Sequence, residues 1–146
     1  MAYHEVTDEI GLGAYEDLIV AYWELAEESR PFVLGVNRWA HELGDRGARW
    51  VAFMDGIPVG KTYLSYLGTP GTAAIFGVYV EPEARGHSVA TTLTGLAIDR
   101  AAERGFERVV LHSSEMGLNL YARMGFVERC AMPAYATTKL HSIQPA

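Results

Sequence analysis

The sequence predicts an α/β (α+β) fold: a central, mostly antiparallel mixed sheet with one parallel strand pair and helices on both faces. Three observations lead there. Asp55-Gly56 sits between two β-rich runs, the strongest short-range hairpin signal. Val78-Tyr79-Val80 passes through Pro82 and Gly86 into a segment with helical apolar spacing, so a strand turns directly into a helix. Val109-Val110-Leu111 follows that helix and is apolar on both faces, and a helix crossing between two strands makes them parallel.

In chain order, residues 3–7 are a short first strand ended by Thr7 or Asp8. Residues 14–28 form a helix whose apolar stripe includes Tyr15, Leu18, Tyr22 and Leu25, with Val20 and Trp23 off the stripe. Pro31 opens a second helix over residues 31–44, stopped by Gly44. Strands follow over 49–54 and 58–67, and after the turn Gly68-Thr-Pro-Gly71 the third strand of a meander covers 72–80. Pro82 lacks a backbone donor and ends that strand. Ser88 is expected to N-cap a helix over 88–104, closed by Gly105. A strand over 107–112 comes next, and Ser113 or Ser114 caps a short helix through Met124 that Gly125 ends. Residues 127–130 and 135–140 finish as strands, and the tail 142–146 frays. The order is (β)αα-βββ-α-β-α-ββ, and 146 residues suit a single domain spanning 1–146.

Composition narrows the function. A net charge of −6 opposes nonspecific nucleic-acid binding, which needs a basic surface to release counterions. The single cysteine, Cys130, excludes an internal disulfide, and no Cys/His spacing suits zinc, so no metal is expected. The first nine residues lack the basic start and apolar stretch of a signal peptide, and no apolar run approaches about twenty residues. A cytoplasmic location with no membrane partner is the expectation.

Two motifs carry a resemblance. The run Val80-x-Pro82-x-x-Arg85-Gly86-x-Ser88-x-Ala90 resembles motif A of the GCN5-related N-acetyltransferase (GNAT) family, Gln/Arg-x-x-Gly-x-Gly/Ala, with Ser88 where the central glycine is usual. Leu120-Tyr-Ala-Arg-Met-Gly-Phe126 is similar to motif B, Leu-Tyr-x-x-x-Gly-Phe. The resemblance implies a GNAT-like fold in which the fourth and fifth strands splay and acetyl-CoA lies in the gap. It implies direct attack of an amine on the thioester, so the expected function is an acyl-CoA-dependent N-acetyltransferase acting on a small-molecule amine. A homodimer is the assembly it suggests.

The same resemblance assigns residues. Coenzyme pyrophosphate would rest on Arg85, Gly86, His87, Ser88, Val89 and Ala90, at a helix N-terminus whose free amides and dipole favour an anion. Backbone groups of Val78, Tyr79 and Val80 would meet the pantetheine and polarise the thioester carbonyl. Ser114 stands where the family often has an asparagine for the pantetheine arm, and Asn119 is a substitute on the same helix. Tyr121 corresponds to the tyrosine that protonates the departing thiolate. The general base stays open among His112, Glu81, Glu115 and a water chain, with His112 favoured because imidazole titrates near neutrality. His41 and His87 have weaker claims. Trp23, Trp39, Tyr66, Phe76 and Tyr135 are candidates to wall the acceptor pocket, beside Tyr22. Two other readings compete: an acyl-CoA-binding sensor or interaction module with weak turnover, and an acyltransferase using a nonstandard donor or a hydroxyl acceptor.

Overall fold

Asp8 sets where the first helix begins: its carboxylate accepts the Gly11 amide at 2.8 Å, a side-chain cap that starts the helix at Glu9, five residues ahead of the expected start. The computed structural model describes residues 1–66 and 68–133. Two compact units divide the chain, Met1–Ser113 and Ser114–Ala146.

In the first unit the order is β1 (Ala2–Glu5), α1 (Glu9–Trp23), α2 (Arg30–Glu42), β2 (Gly47–Met54), β3 (Ile57–Ser65), β4 (Thr72–Val80), α3 (Val89–Glu103) and β5 (Arg108–Leu111). The five strands lie side by side in sequence order, with β4 and β5 parallel and the other pairs antiparallel. Asp55 and Gly56 both adopt positive φ, 53° and 82°, so the β2–β3 hairpin turns with the primed geometry that suits twisted strands.

Alternation along β2 divides the core between the two faces of the sheet. Ala48, Trp50 and Ala52 join Leu64, Ile75 and the buried stripe of α3, Val89, Leu93, Ala97 and Ala101. Val51 faces the other way and packs with Leu12, Tyr15, Leu18 and Ile19 of α1. On the α3 side, Gly60 allows a close approach, because a Cβ there would stand 2.9 Å from Val89 Cγ1 and 3.2 Å from Leu93 Cδ1. The same helix is tied to β1 by Arg100, whose guanidinium donates to both oxygens of Glu5 at 2.7 Å. Gly105 ends α3 at φ 80°, with Phe106 N donating to Ala101 O in a Schellman closure.

Val33 and Leu34 of α2 pack against the α1 cluster, but its other large apolar residues depart from a core role. Phe32, Val36, Trp39 and Leu43 are exposed and recur along one side of that helix.

The second unit contains a 3₁₀ turn (Glu115–Gly117) and α4 (Leu118–Arg123). Gly125, at φ 90°, ends α4, Phe126 N donates to Tyr121 O at 3.0 Å, and the two rings meet edge to face. Residues 127–130, expected as a strand, adopt none, and no ladder partner reaches them among the described residues. The strand expected over 135–140 lies outside the described residues.

Candidate active site

Two departures from regular β-structure create the site. On β4 the register against β3 shifts between Lys61 and Tyr63, where Gly77 enters as an extra residue at φ 59°. On its other edge β4 pairs with β5 only from Thr72 to Ile75, because β5 stops at Leu111. From Phe76 to Val80, β4 therefore has no strand on that side among the described residues. Glu81 N donates to Val59 O at 2.8 Å, and Tyr79 stands opposite Lys61, so alternation turns the amides of Val78 and Val80 toward the open side. Beyond Ile75 the outer edge of β4 is thus open, where the resemblance expects the fourth and fifth strands to splay, and that edge carries the amides of Val78 and Val80.

The turn after β4 continues that edge. Arg85 folds back, its Nε donating to Val80 O at 3.2 Å. Gly86 and Ser88 both take positive φ, 82° and 60°. The first backbone bond of α3 runs from Thr92 N to Ser88 O, leaving the amides of Val89, Ala90 and Thr91 without intrahelical acceptors. Ser88 holds the position before the helix, but its hydroxyl makes no capping bond and its backbone is left-handed rather than extended. The expected serine cap is therefore absent. The residue occupies a conformation that suits glycine, which explains the family's usual choice there.

Beside the open edge, α1 and α2 line a cavity of about 500 Å³ with β3 and β4. Tyr15, Tyr22, Trp23, Asn37, Lys61, Phe76, Gly77 and His112 are among its walls. Of the sequence-predicted residues, the fold thus brings His112, Trp23 and Phe76 together. Trp39 stays exposed on α2 outside this cavity. Tyr66 stacks on Phe106 at 5.6 Å under the Arg104 guanidinium, away from the cavity walls. Glu81 is engaged by Tyr79, whose hydroxyl donates to Oε2 at 2.8 Å; burial, then this carboxylate, push the Tyr79 phenol up to about 12. His87 is exposed in the turn before α3. In the second unit Ser114 precedes the 3₁₀ turn, while Asn119 and Tyr121 lie on α4. Tyr135 lies outside the described residues.

Sequence reasoning missed the most unusual group in the cavity. Lys61 is only 3% exposed, and Nζ donates to Gly77 O at 3.1 Å. The rings of Tyr22 and Tyr15 face it at 4.9 and 5.4 Å, and no carboxylate pairs with it among the described residues. Desolvation lowers its pKa to about 8. Asn37 contributes a second polar group, with Nδ2 buried and unpartnered. Burial likewise raises the Tyr15 phenol, against the opposing Arg49 charge.

A second cavity of about 590 Å³ lies around Met1, His4, Asp8 and Phe53. It has no buried ionisable side chain and is remote from the open edge of β4, so the smaller cavity is the better candidate. Among the described residues no cluster of three His, Cys, Asp or Glu side chains could hold a metal ion, and no helix is long and apolar enough to cross a membrane.

A mixed five-stranded sheet whose fourth strand has an open edge, followed by a turn into a helix with free N-terminal amides, defines an α/β protein with a strand-turn-helix anion site. The chain belongs to the acetyltransferase (GNAT) family, whose profile matches residues 12–126. The transcriptional regulator from Bacillus halodurans C-125 resembles it with a TM-score of 0.75 at 23% identity, over 93% of this chain and 99% of that one. AAC(6')-Iy, in complex with the bisubstrate analog CoA-S-monomethyl-acetylneamine, gives 0.73 at 16% identity, over 95% and 100%. Glucosamine-6-phosphate N-acetyltransferase from Arabidopsis thaliana gives 0.72 at 14% identity, over 93% and 99%. At such identities the likeness is one of fold. No curated protein matches the sequence.

Proposed function

We propose that this chain is a single-domain acyl-CoA-dependent N-acyltransferase that moves acetyl from acetyl-CoA to the amine of a small molecule held in the α1–α2 cavity. The observation that carries the reading is the open edge: β4 loses its outer partner at Phe76, beside a cavity of suitable size. The donor's residues fit their task. Unpaired amides of Val89, Ala90 and Thr91, with the Arg85 side chain nearby, suit a pyrophosphate, and the Val78 and Val80 amides suit the pantetheine and thioester. Coenzyme A supplies an activated thioester, and the protein's contribution is largely to hold an amine against it.

An alkylamine is protonated at neutral pH and must lose a proton before it attacks. His112 is the imidazole on the cavity wall and takes that proton directly or through water. Glu81 is the weaker candidate because Tyr79 already engages it. Tyr121 keeps the role its motif implies, giving a proton to the departing thiolate. Trp23, Tyr22 and Phe76 form an aromatic wall for the body of the acceptor.

The test is to incubate the protein with acetyl-CoA and an amine panel, follow thiol release, and repeat with Tyr121→Phe. Turnover that falls in the variant with acceptor KM unchanged is the expected result. Absence of coenzyme A binding in a calorimetric titration would overturn the assignment.

A further inference from the structure

Lys61 is a buried ammonium in an acidic chain, and folding leaves it poorly compensated. Of its three protons, one reaches Gly77 O at 3.1 Å, while the faces of Tyr15 and Tyr22 offer only partial replacement for water. A buried cation with no counter-charge is costly, and structural lysines are seldom left so. Asn37 Nδ2, from α2 and lining the same cavity, is also a buried donor without an acceptor. Two elements far apart in sequence thus present incompletely satisfied donors to one cavity, and no carboxylate of the described residues answers either.

We propose that Lys61 and Asn37 form a subsite for a carboxylate, so that the acceptor is an amino acid or another amine carrying one carboxylate. This rests on the reading of the cavity as the acceptor pocket. The shape of the requirement follows from charge. One ammonium balances one negative charge, and one ammonium with one amide supplies donors for the two oxygens of a carboxylate. A phosphate dianion would remain half neutralised. The net charge of −6 means that the chain as a whole repels such a ligand, so attraction has to come from a local group. A carboxylate at Lys61 also removes the cost of the buried cation, which makes discrimination against a neutral analogue strong. Aromatic side chains at Tyr22, Trp23 and Phe76 leave the rest of the pocket suited to an apolar body.

The experiment pairs each of phenylalanine, β-alanine and aminomethylbenzoate with its own primary amide. Binding to the coenzyme-free protein is followed by calorimetry, and turnover with acetyl-CoA by thiol release. Wild type should prefer the carboxylate of at least one pair by roughly tenfold or more. Lys61→Met should bring that ratio close to unity, Asn37→Leu should reduce it, and the affinity for coenzyme A should stay as in wild type in both. Equal binding within every pair in wild type overturns the subsite, as does a preference that survives Lys61→Met. If coenzyme A fails to bind, the acyltransferase reading falls, yet the coenzyme-free titrations still decide the carboxylate preference.

Discussion

Lys61 Nζ and the carbonyl of Gly77 stand 3.1 Å apart, so among the described residues the acceptor that holds this buried ammonium is the bulge residue beside which β4 opens. The contact has a consequence for stability. Desolvation lowers the lysine from 10.5 to about 8 in the folded protein. Below the folded value both folded and unfolded chains carry the proton, and the folded chain bears the whole desolvation cost. As pH rises from there toward the unfolded value, the unfolded chain holds more protons, so native stability increases. Tyr15, Tyr22, Tyr79 and His112 are the titratable neighbours on the elements around it. Lys61→Met should therefore stabilise the protein near neutral pH by roughly 1–3 kcal/mol, after allowance for the lost hydrogen bond. That advantage should shrink through the window from about 8 to 10.5. Denaturant melts across pH check this, and a gap that is constant or reversed in sign would contradict it.

Ser88 should tolerate replacement by glycine and gain from it. Its φ of 60° costs a side-chain-bearing residue on the order of 1 kcal/mol, and its hydroxyl makes no cap bond that the change would remove. Glycine's greater unfolded-state entropy offsets part of the gain. Ser88→Gly should thus raise stability by about 0.5 kcal/mol, while Ser88→Ala stays within about 0.5 kcal/mol of wild type. Coenzyme A titration of Ser88→Gly should show equal or tighter binding, since the Cβ no longer crowds the turn. A thermal melt in which glycine destabilises would show that the hydroxyl does something the geometry does not record.

Local rules make much of the fold and several pocket walls, Tyr22, Trp23, Phe76 and His112, legible, and leave the buried lysine among them hidden. Asp55-Gly56 and Gly125-Phe126 signal their turns because positive φ is a property of one or two residues. The parallel pair was equally accessible, because a crossover helix between strands admits little else. The first helix was placed late since Gly11 and Gly13 weaken its opening turns, whereas Asp8 and the packing of Leu12 and Tyr15 outweigh them. Lys61 stayed invisible for a tertiary reason. Arg49, Lys61 and Tyr63 alternate onto one face of the sheet and read as its wet side until α1 covers them. The motif over residues 80–90 signals the turn between β4 and α3, but nothing local says that a lysine on the neighbouring strand β3 is buried.

Gly60 offers a check on the opposite face. A Cβ at this position would come within 2.9 Å of Val89 Cγ1 and 3.1 Å of Tyr79 O. The valine begins α3 and the carbonyl belongs to β4, so neither yields without moving the turn between them. Gly60→Ala should cost about 1–3 kcal/mol by overpacking. Because that turn carries Arg85 and the free helix amides, affinity for coenzyme A should fall as well. Equilibrium unfolding with parallel coenzyme titration measures both, and an alanine variant unchanged in each would mean that α3 is less closely seated than its contacts imply.

His112 and Glu81 can be separated kinetically because the structure treats them differently. His112 follows the last residue of β5 and lines the cavity, whereas the Glu81 carboxylate accepts the Tyr79 hydroxyl at 2.8 Å. A base must reach the acceptor's proton directly or through one water, and a carboxylate already engaged by a phenol is less available. His112→Gln should lower kcat by about tenfold to a hundredfold, flatten the limb of the pH–rate profile that reports the base, and leave coenzyme affinity unchanged. Glu81→Gln should lower kcat by less than about threefold, because glutamine can still accept from Tyr79. If Glu81→Gln proves the more damaging change and His112→Gln is silent, the proton leaves by the β4 side of the site and the imidazole is a wall residue only.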